Sequence, residues 1–197
     1  MDKSTEKIIG YLQQRVTVTE SEALEFAGMF QEKKVRKKQF LVQPDFVARH
    51  RYYIIDGALR SFIVDDNGQE TTIALAIDDW WITDYNSYIY QQPATLFVEA
   101  VSNATVLQLS YENEQQLKTS NPKFETFFRI IAERGLAAQQ RRIITNLTQN
   151  AEQRYESFVQ KYPKFVNSIP QYIIASFLGM STEFLSKIRN NKVNKKS

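Results

Sequence analysis

Residues 169–189 read Ile169-Pro170-Gln171-Tyr172-Ile173-Ile174-Ala175-Ser176-Phe177-Leu178-Gly179-Met180-Ser181-Thr182-Glu183-Phe184-Leu185-Ser186-Lys187-Ile188-Arg189. The run divides at Gly179. Before it, Ile174, Phe177 and Leu178 recur at helical spacing, which predicts a short helix over 171–178 that buries them. Gly179 tolerates the left-handed conformation that closes a helix without Cβ strain. Ser181 then offers a side-chain oxygen to the free amides at the start of a second helix. On that helix Leu185 and Ile188 face inward with Met180 and Phe184 nearby, and Ala175 is small where the two helices cross. Thr182, Glu183, Ser186, Lys187 and Asn190 are left on exposed faces. Polar side chains of this reach suit the base edges of a DNA major groove, and a helix-turn-helix presents them there. A helical hairpin of purely structural purpose is the alternative reading of the same run.

Upstream, Ala151 to Lys161 predicts an amphipathic helix with Tyr155, Phe158 and Val159 on its buried face, ended by Tyr162-Pro163. Asn121 to about Asn146 predicts a long helix, with Pro122 in its first turn. Its apolar face holds Phe124, Phe127, Phe128, Ile131, Ala138, Ile143, Ile144 and Leu147. At about 1.5 Å per residue it runs about 39 Å, more than a small barrel covers, so part of it is expected to pack on a second subunit. From Lys33 to Ser110 the pattern is of short strands: Gln39–Val42, Arg51–Ile55, Leu59–Val64, Thr71–Ala76, Leu96–Ala100 and Val106–Leu109. Turn signals separate them, of which Asn67-Gly68 is the strongest because both residues tolerate positive φ. Strands at this spacing predict an antiparallel barrel or jelly roll. Trp80 and Trp81 are expected to plug that barrel or line a pocket in it. The segment from about Ser4 to Phe30 reads as two helices, with a cap at Thr19-Glu20-Ser21-Glu22.

Composition narrows the chemistry. The 197 residues hold no cysteine, which excludes disulfides, iron–sulfur clusters and thiolate zinc sites held by this chain. A single histidine, His50, removes the usual ligand set of metal sites and catalytic triads, and between Arg49 and Arg51 it is expected at the surface. No cofactor, metal or catalytic residue is expected, and the chain does not read as an enzyme. The N-terminal run Met1-Asp2-Lys3-Ser4-Thr5-Glu6-Lys7 has no signal-peptide h-region, and no apolar run reaches the roughly 20 residues that span a bilayer, so a cytoplasmic location without membrane partners is expected. The net charge of +3 is modest. From Lys187 to Ser197, however, five basic residues (Lys187, Arg189, Lys192, Lys195, Lys196) stand without an acid, and beside a helix-turn-helix such an end attracts phosphate.

Taken in order, these segments resemble the bacterial Crp–Fnr superfamily, the cyclic-AMP receptor protein and its relatives, over nearly the full length. The runs Asp79-Trp80-Trp81-Ile82-Thr83-Asp84, Ala151-Glu152-Gln153-Arg154-Tyr155 and Ile169 to Ser181 are most similar to the subgroup common in Bacteroidetes. The resemblance implies an α+β fold. Residues 1–120 would form a cyclic-nucleotide-binding-type β-roll (jelly roll) with flanking helices, residues 121–148 a dimerisation helix, and residues 149–197 a helix-turn-helix domain. It implies a transcriptional regulator that binds double-stranded DNA as a homodimer, its recognition helices about 34 Å apart in successive major grooves, with RNA polymerase as a further partner. By position in the motif, Glu183 matches a base-reading glutamate, Lys187 stands where many members carry a base-contacting arginine, and Thr182 replaces another residue that is often arginine. Gln171 and Ser181 fall at helix N-termini that suit phosphate.

Two departures accompany the resemblance. The chain ends at Asn190-Asn191-Lys192-Val193-Asn194-Lys195-Lys196-Ser197, so a full C-terminal wing is not expected and the basic tail stands in its place. In the sensory half, the family's Gly-Glu position reads Thr83-Asp84 and its Arg-Ser position reads approximately Ala94-Thr95. The cationic partner of a cyclic phosphate is missing, so cyclic AMP is not expected to bind by the usual contacts. Thr83, Asp84, Ala94 and Thr95, with Gln139 and Gln140 of the long helix, mark the candidate pocket for an unknown small-molecule effector; the plainer reading of the two glutamines is that they bond each other across a dimer. A sensor acting mainly through protein partners, with a degenerate DNA-binding module, is the alternative function.

Overall fold

The computed structural model describes residues 2–194, and the side chains of all of these except 167 and 192–194. Two helices open the chain, α1 (Lys3–Gln13) and α2 (Glu20–Gly28). Thr19 and Glu22 form a reciprocal capping box at the start of α2, as the sequence pattern indicates. Eight strands follow: β1 (Gln31–Val35), β2 (Phe40–Val42), β3 (His50–Asp56), β4 (Leu59–Val64), β5 (Glu70–Ala76), β6 (Trp81–Ile82), β7 (Phe97–Ala100) and β8 (Ala104–Ser110), with α3 (Tyr85–Tyr90) between β6 and β7. They make two four-stranded antiparallel sheets, β1-β8-β3-β6 and β2-β7-β4-β5. Helices α4 (Tyr111–Ser120), α5 (Pro122–Thr148), α6 (Ala151–Lys161), α7 (Pro163–Ser168), α8 (Gln171–Leu178) and α9 (Thr182–Asn194) complete the described chain.

Strand alternation divides the core. Tyr52, Ile54 and Val106 of the first sheet meet Val42, Leu59, Ala76, Val98 and Ala100 of the second, filling the roll. The intervening Tyr53, Ile55, Leu107 and Leu109 point the other way and pack under α1, α2, α4 and the first turns of α5. Phe127 is fully buried there, with Phe26 at 5.1 Å, Phe128 at 5.2 Å and Tyr11 at 6.0 Å between ring centroids. Glu22 fastens the same helices from outside: the Lys123 ammonium, then the Thr19 amide and the Asn121 side chain, hold its carboxyl down at about 2.

The tryptophans do not plug the barrel. Trp81 lies in the helical core, 5.2 Å from Tyr53 and 6.0 Å from Phe30. Trp80 faces the C-terminal helices, 5.5 Å from Tyr162 and 5.8 Å from Phe165. Aliphatic and small residues, with Tyr52 and Tyr88, fill the roll instead. His50 is likewise not a plain surface residue. It is half-buried in a cleft of about 300 Å³, with Lys33, Phe40, Phe46, Arg49 and Tyr52. Burial, and then the neighbouring Lys33 charge, push its pKa down.

The C-terminal helices build a third core from Tyr155, Phe158, Phe165, Ile173, Ile174, Leu178, Leu185 and Ile188, closed on one side by Ala58, Leu75 and Val101 of the roll. Polar contacts join the same parts. β5 is a sheet edge, whose free amides and carbonyls need partners. Ser176 of α8 accepts from the Thr72 amide (2.8 Å) and donates to the Glu70 carbonyl (3.2 Å). Arg142 of α5 donates to the carbonyls of Ile73, Thr72 and Phe177, and its guanidinium lies 4.2 Å from the Phe177 ring centroid.

Among the described residues, no helix is long and apolar enough to cross a membrane. Replacing Phe127 by Ala should lower the unfolding free energy by about 3–5 kcal/mol in denaturant melts, because the lost ring leaves a cavity among neighbours that cannot collapse.

Candidate nucleic-acid interface and sensor pocket

Helix α8 buries Ile173, Ile174, Ala175 and Leu178, and Phe177 is half-buried. Gly179 ends it with a φ of 67°, the left-handed geometry its sequence position requires. The Ser181 hydroxyl then accepts from the Phe184 amide at 3.2 Å, capping α9. Leu185 and Ile188 are buried beneath α9, whereas Phe184 is 46% exposed.

The opposite face of α9 carries the polar set. Thr182, Glu183, Ser186, Lys187, Asn190 and Asn191 line an open depression of about 650 Å³, together with Gln171 at the start of α8. Residue spacing puts them together: steps of one, three and four along a helix keep them within one broad face. Of the residues expected to meet DNA, Gln171, Thr182, Glu183, Ser186, Lys187 and Asn190 therefore share one surface. Ser181 is spent on the cap. Arg189 is half-buried and does not line the depression, because it sits one position past Ile188, toward the buried side. Asn191 joins the surface without having been singled out; its place one turn beyond Lys187 is the signal that would have found it. Glu183 has its pKa held below the usual carboxylate value by its own backbone amide and then by the Ser181 hydroxyl, so it presents a charged acceptor at neutral pH. The basic run continues into Lys192, whose backbone lies in α9; Lys195 and Lys196 are outside the described residues.

In the roll, Asp84 is not a free acceptor. It is 1% exposed; one carboxylate oxygen accepts from the amides of Thr95 (2.9 Å) and Leu96 (3.0 Å), and the other from the Ser87 amide (3.1 Å). Convergent amides of this kind form an anion site, and the chain's own carboxylate fills it. Thr83 is also buried and donates to the His50 carbonyl at 2.8 Å. Ala94 is buried between the Phe46 carbonyl and the Asp45 amide. Of the four, Asp84 and Thr95 are bonded to each other, whereas Thr83 bonds to His50 and Ala94 to the 45–46 turn. Gln139 and Gln140 stand apart: both are exposed on α5.

The architecture matches solved structures across most of their length. FixK2 from Bradyrhizobium japonicum has a TM-score of 0.75 at 15% identity, covering 85% of this chain and 86% of its own. The c-di-GMP responsive global regulator CLP of Xanthomonas campestris has 0.70 at 14% identity, covering 90% and 93%. The catabolite activator protein of Thermus thermophilus has 0.56 at 17% identity, covering 94% and 88%. The fold is therefore that of the Crp–Fnr-type regulators. No protein-family model matches the sequence, and no curated protein matches it.

Asp84→Ala should destabilise the chain by about 1–3 kcal/mol in thermal or denaturant melts, because it strands buried amides. Asp84→Asn, which keeps one acceptor oxygen, should lose less.

Proposed function

We propose that this chain is a homodimeric, sequence-specific DNA-binding transcription regulator, acting on double-stranded DNA in the cytoplasm with RNA polymerase as its further partner. The observation that carries the reading is the convergence of Gln171, Thr182, Glu183, Ser186, Lys187, Asn190 and Asn191 on one exposed face of a capped helix-turn-helix. Glu183 is suited to accept from cytosine N4, and Lys187 to donate to guanine. Gln171, at the first turn of α8, is placed for a phosphate.

The second half of α5 supports the dimer. Leu136 is 72%, Ile143 59%, Ile144 53% and Leu147 81% exposed, although the first half of the same helix is buried. Leu136, Gln140, Ile143 and Leu147 follow the spacing of a two-helix seam, so a second copy of α5 covers them. Gln140 lies on that seam, where its amide meets its own symmetry mate. The division 1–120, 121–148 and 149–197 is then one of labour: sensor-type roll, dimer helix and DNA reader. The sensor half does not take cyclic AMP by the usual contacts, because Asp84 already occupies the amides and no arginine accompanies them.

A mobility-shift assay against the DNA upstream of the chain's own gene tests the reading. The intact protein should prefer that DNA over random sequence at moderate salt. Lys187→Ala and Glu183→Ala should each reduce that discrimination by about 1–3 kcal/mol; no preference by the intact protein defeats the proposal. Leu136→Glu should convert a dimer to a monomer in light scattering without lowering the helix content, since Leu136 is exposed within its own chain.

A further inference from the structure

The cleft of about 300 Å³ around His50 shares no residue with the polar depression of α9, and Thr83, Asp84, Ala94 and Thr95 do not line it. Both sheets contribute to it: Lys33 from β1, His50 and Tyr52 from β3, and Leu41 and Val42 from β2, with the loop 43–49 completing the lining. That loop is fastened along its length. The Asp45 amide donates to the Ala94 carbonyl (3.1 Å), the Ala94 amide to the Phe46 carbonyl (2.9 Å), and the Ala48 amide to the Ser87 hydroxyl (2.8 Å). Tyr52 donates its hydroxyl to the Leu41 carbonyl (3.2 Å), and the Thr83 hydroxyl donates to the His50 carbonyl (2.8 Å). The walls are thus held by the chain's own bonds, so a ligand entering them has little ordering cost to meet.

Two kinds of group meet in the cleft. Phe46 is 70% exposed although its backbone is bonded in place, and with half-buried Leu41 and Val47 and the ring of Tyr52 it supplies apolar and aromatic surface. Lys33, Arg49 and His50 supply donors, and among the described residues none of their side chains has a hydrogen bond or an ion pair. Glu112 of α4 is the acid whose charge reaches His50 and Arg49; it is exposed, and its own amide and the Ser110 hydroxyl hold it. Lys33 and Arg49 against Glu112 leave one positive charge, the complement of a monoanion. Burial, and then Lys33, push the pKa of His50 down, so at neutral pH it adds an uncharged donor. A guanidinium fork matches a carboxylate, and the rings of Phe46 and Tyr52 suit a further ring. A cleft of this volume, apolar with a few convergent donors, has the make-up of a site for a small ligand.

We propose that this cleft binds a small aromatic monocarboxylate, its ring against Phe46, Val47 and Tyr52 and its carboxylate among Lys33, Arg49 and His50. The inference is independent of the DNA-binding reading, and its test uses no DNA.

His50 is the only histidine of the chain, so the imidazole signals in NMR spectra of the full-length protein report on this cleft without ambiguity. The probe is 3-phenylpropionate, compared with propionate (no ring), hexanoate (no aromatic ring) and 3-phenylpropanol (no charge). It should shift the His50 signals saturably and move the imidazole titration to higher pH, because a carboxylate beside the ring favours its charged form. Phe46→Ala, and separately Lys33→Gln with Arg49→Gln, should each weaken binding by about tenfold or more. None of the three side chains is buried, so both variants should melt as the intact protein does. The proposal is overturned by the absence of a saturable shift up to about 10 mM, a concentration at which a fitting ligand of about 11 non-hydrogen atoms binds. Unchanged affinity in either variant overturns it as well, and so does equal affinity for any of the three comparison compounds.

Discussion

The packing of Phe124, Phe127, Phe128 and Ile131 against Phe26, Tyr53 and Leu109 is the constraint on which the rest of the molecule depends. It seats the first three turns of α5 on the roll. An α-helix is stiff over its 27 residues, about 40 Å, so seating one end aims the other. Everything beyond Ile131 inherits that aim: the exposed stripe from Leu136 to Leu147, the guanidinium of Arg142, and through them the C-terminal helices.

The second half of α5 does two jobs on different faces. One face is apolar and uncovered within the chain. The other sends Arg142 to the carbonyls of β5 and α8, while Ser176 takes over an amide and a carbonyl that a further strand would have used. The open edge of the second sheet is thereby covered by the helix-turn-helix unit rather than left to recruit a foreign strand. Apolar contacts of Ala58, Leu75 and Val101 with the C-terminal core add to the same junction. The polar face of α9 is carried on a unit bonded to the roll at several points, not on a free tether.

Charge is arranged with similar economy. Buried charges are paired: Arg51 with Glu114 at 2.9 Å, and Arg60 with Glu99 at 2.7 Å. Asp84 is satisfied by three amides. Lys187 and the cations of the 34–38 turn are exposed and have no ion pair among the described residues, while Glu183 keeps its charge at the surface through its own helix end. A dry interior demands partners for its ions, whereas water tolerates single charges until a ligand of opposite sign replaces it.

Local order was legible in the sequence wherever one residue type has one local use. Gly179, Ser181, the Thr19–Glu22 box, the 171–178 helix and the 59–64 strand depend on φ preference, capping and short-range periodicity, which neighbours along the chain decide. The polar face of α9 followed from the same periodicity. Tertiary structure decided what depends on partners distant in sequence. β1, with its run of lysines, does not look like a strand until it pairs with β8; α3 and α4 have no strong period of their own. Trp80, in the turn before β6, lies against Tyr162 and Phe165, while Trp81, the first residue of that strand, packs in the helical core with Tyr53 and Phe30. Asp84 resembles a ligand-binding acid in sequence, yet folding brings the amides of Thr95 and Leu96 to it and spends its charge inside. Sequence by itself determined which elements form and which side of the last helix is polar, because those are short-range properties. Only the folded chain decided that this helix-turn-helix rides on the edge of β5 and that the amides of Ser87, Thr95 and Leu96 are taken by Asp84, because hydrogen-bond partners are assigned in space and not along the chain.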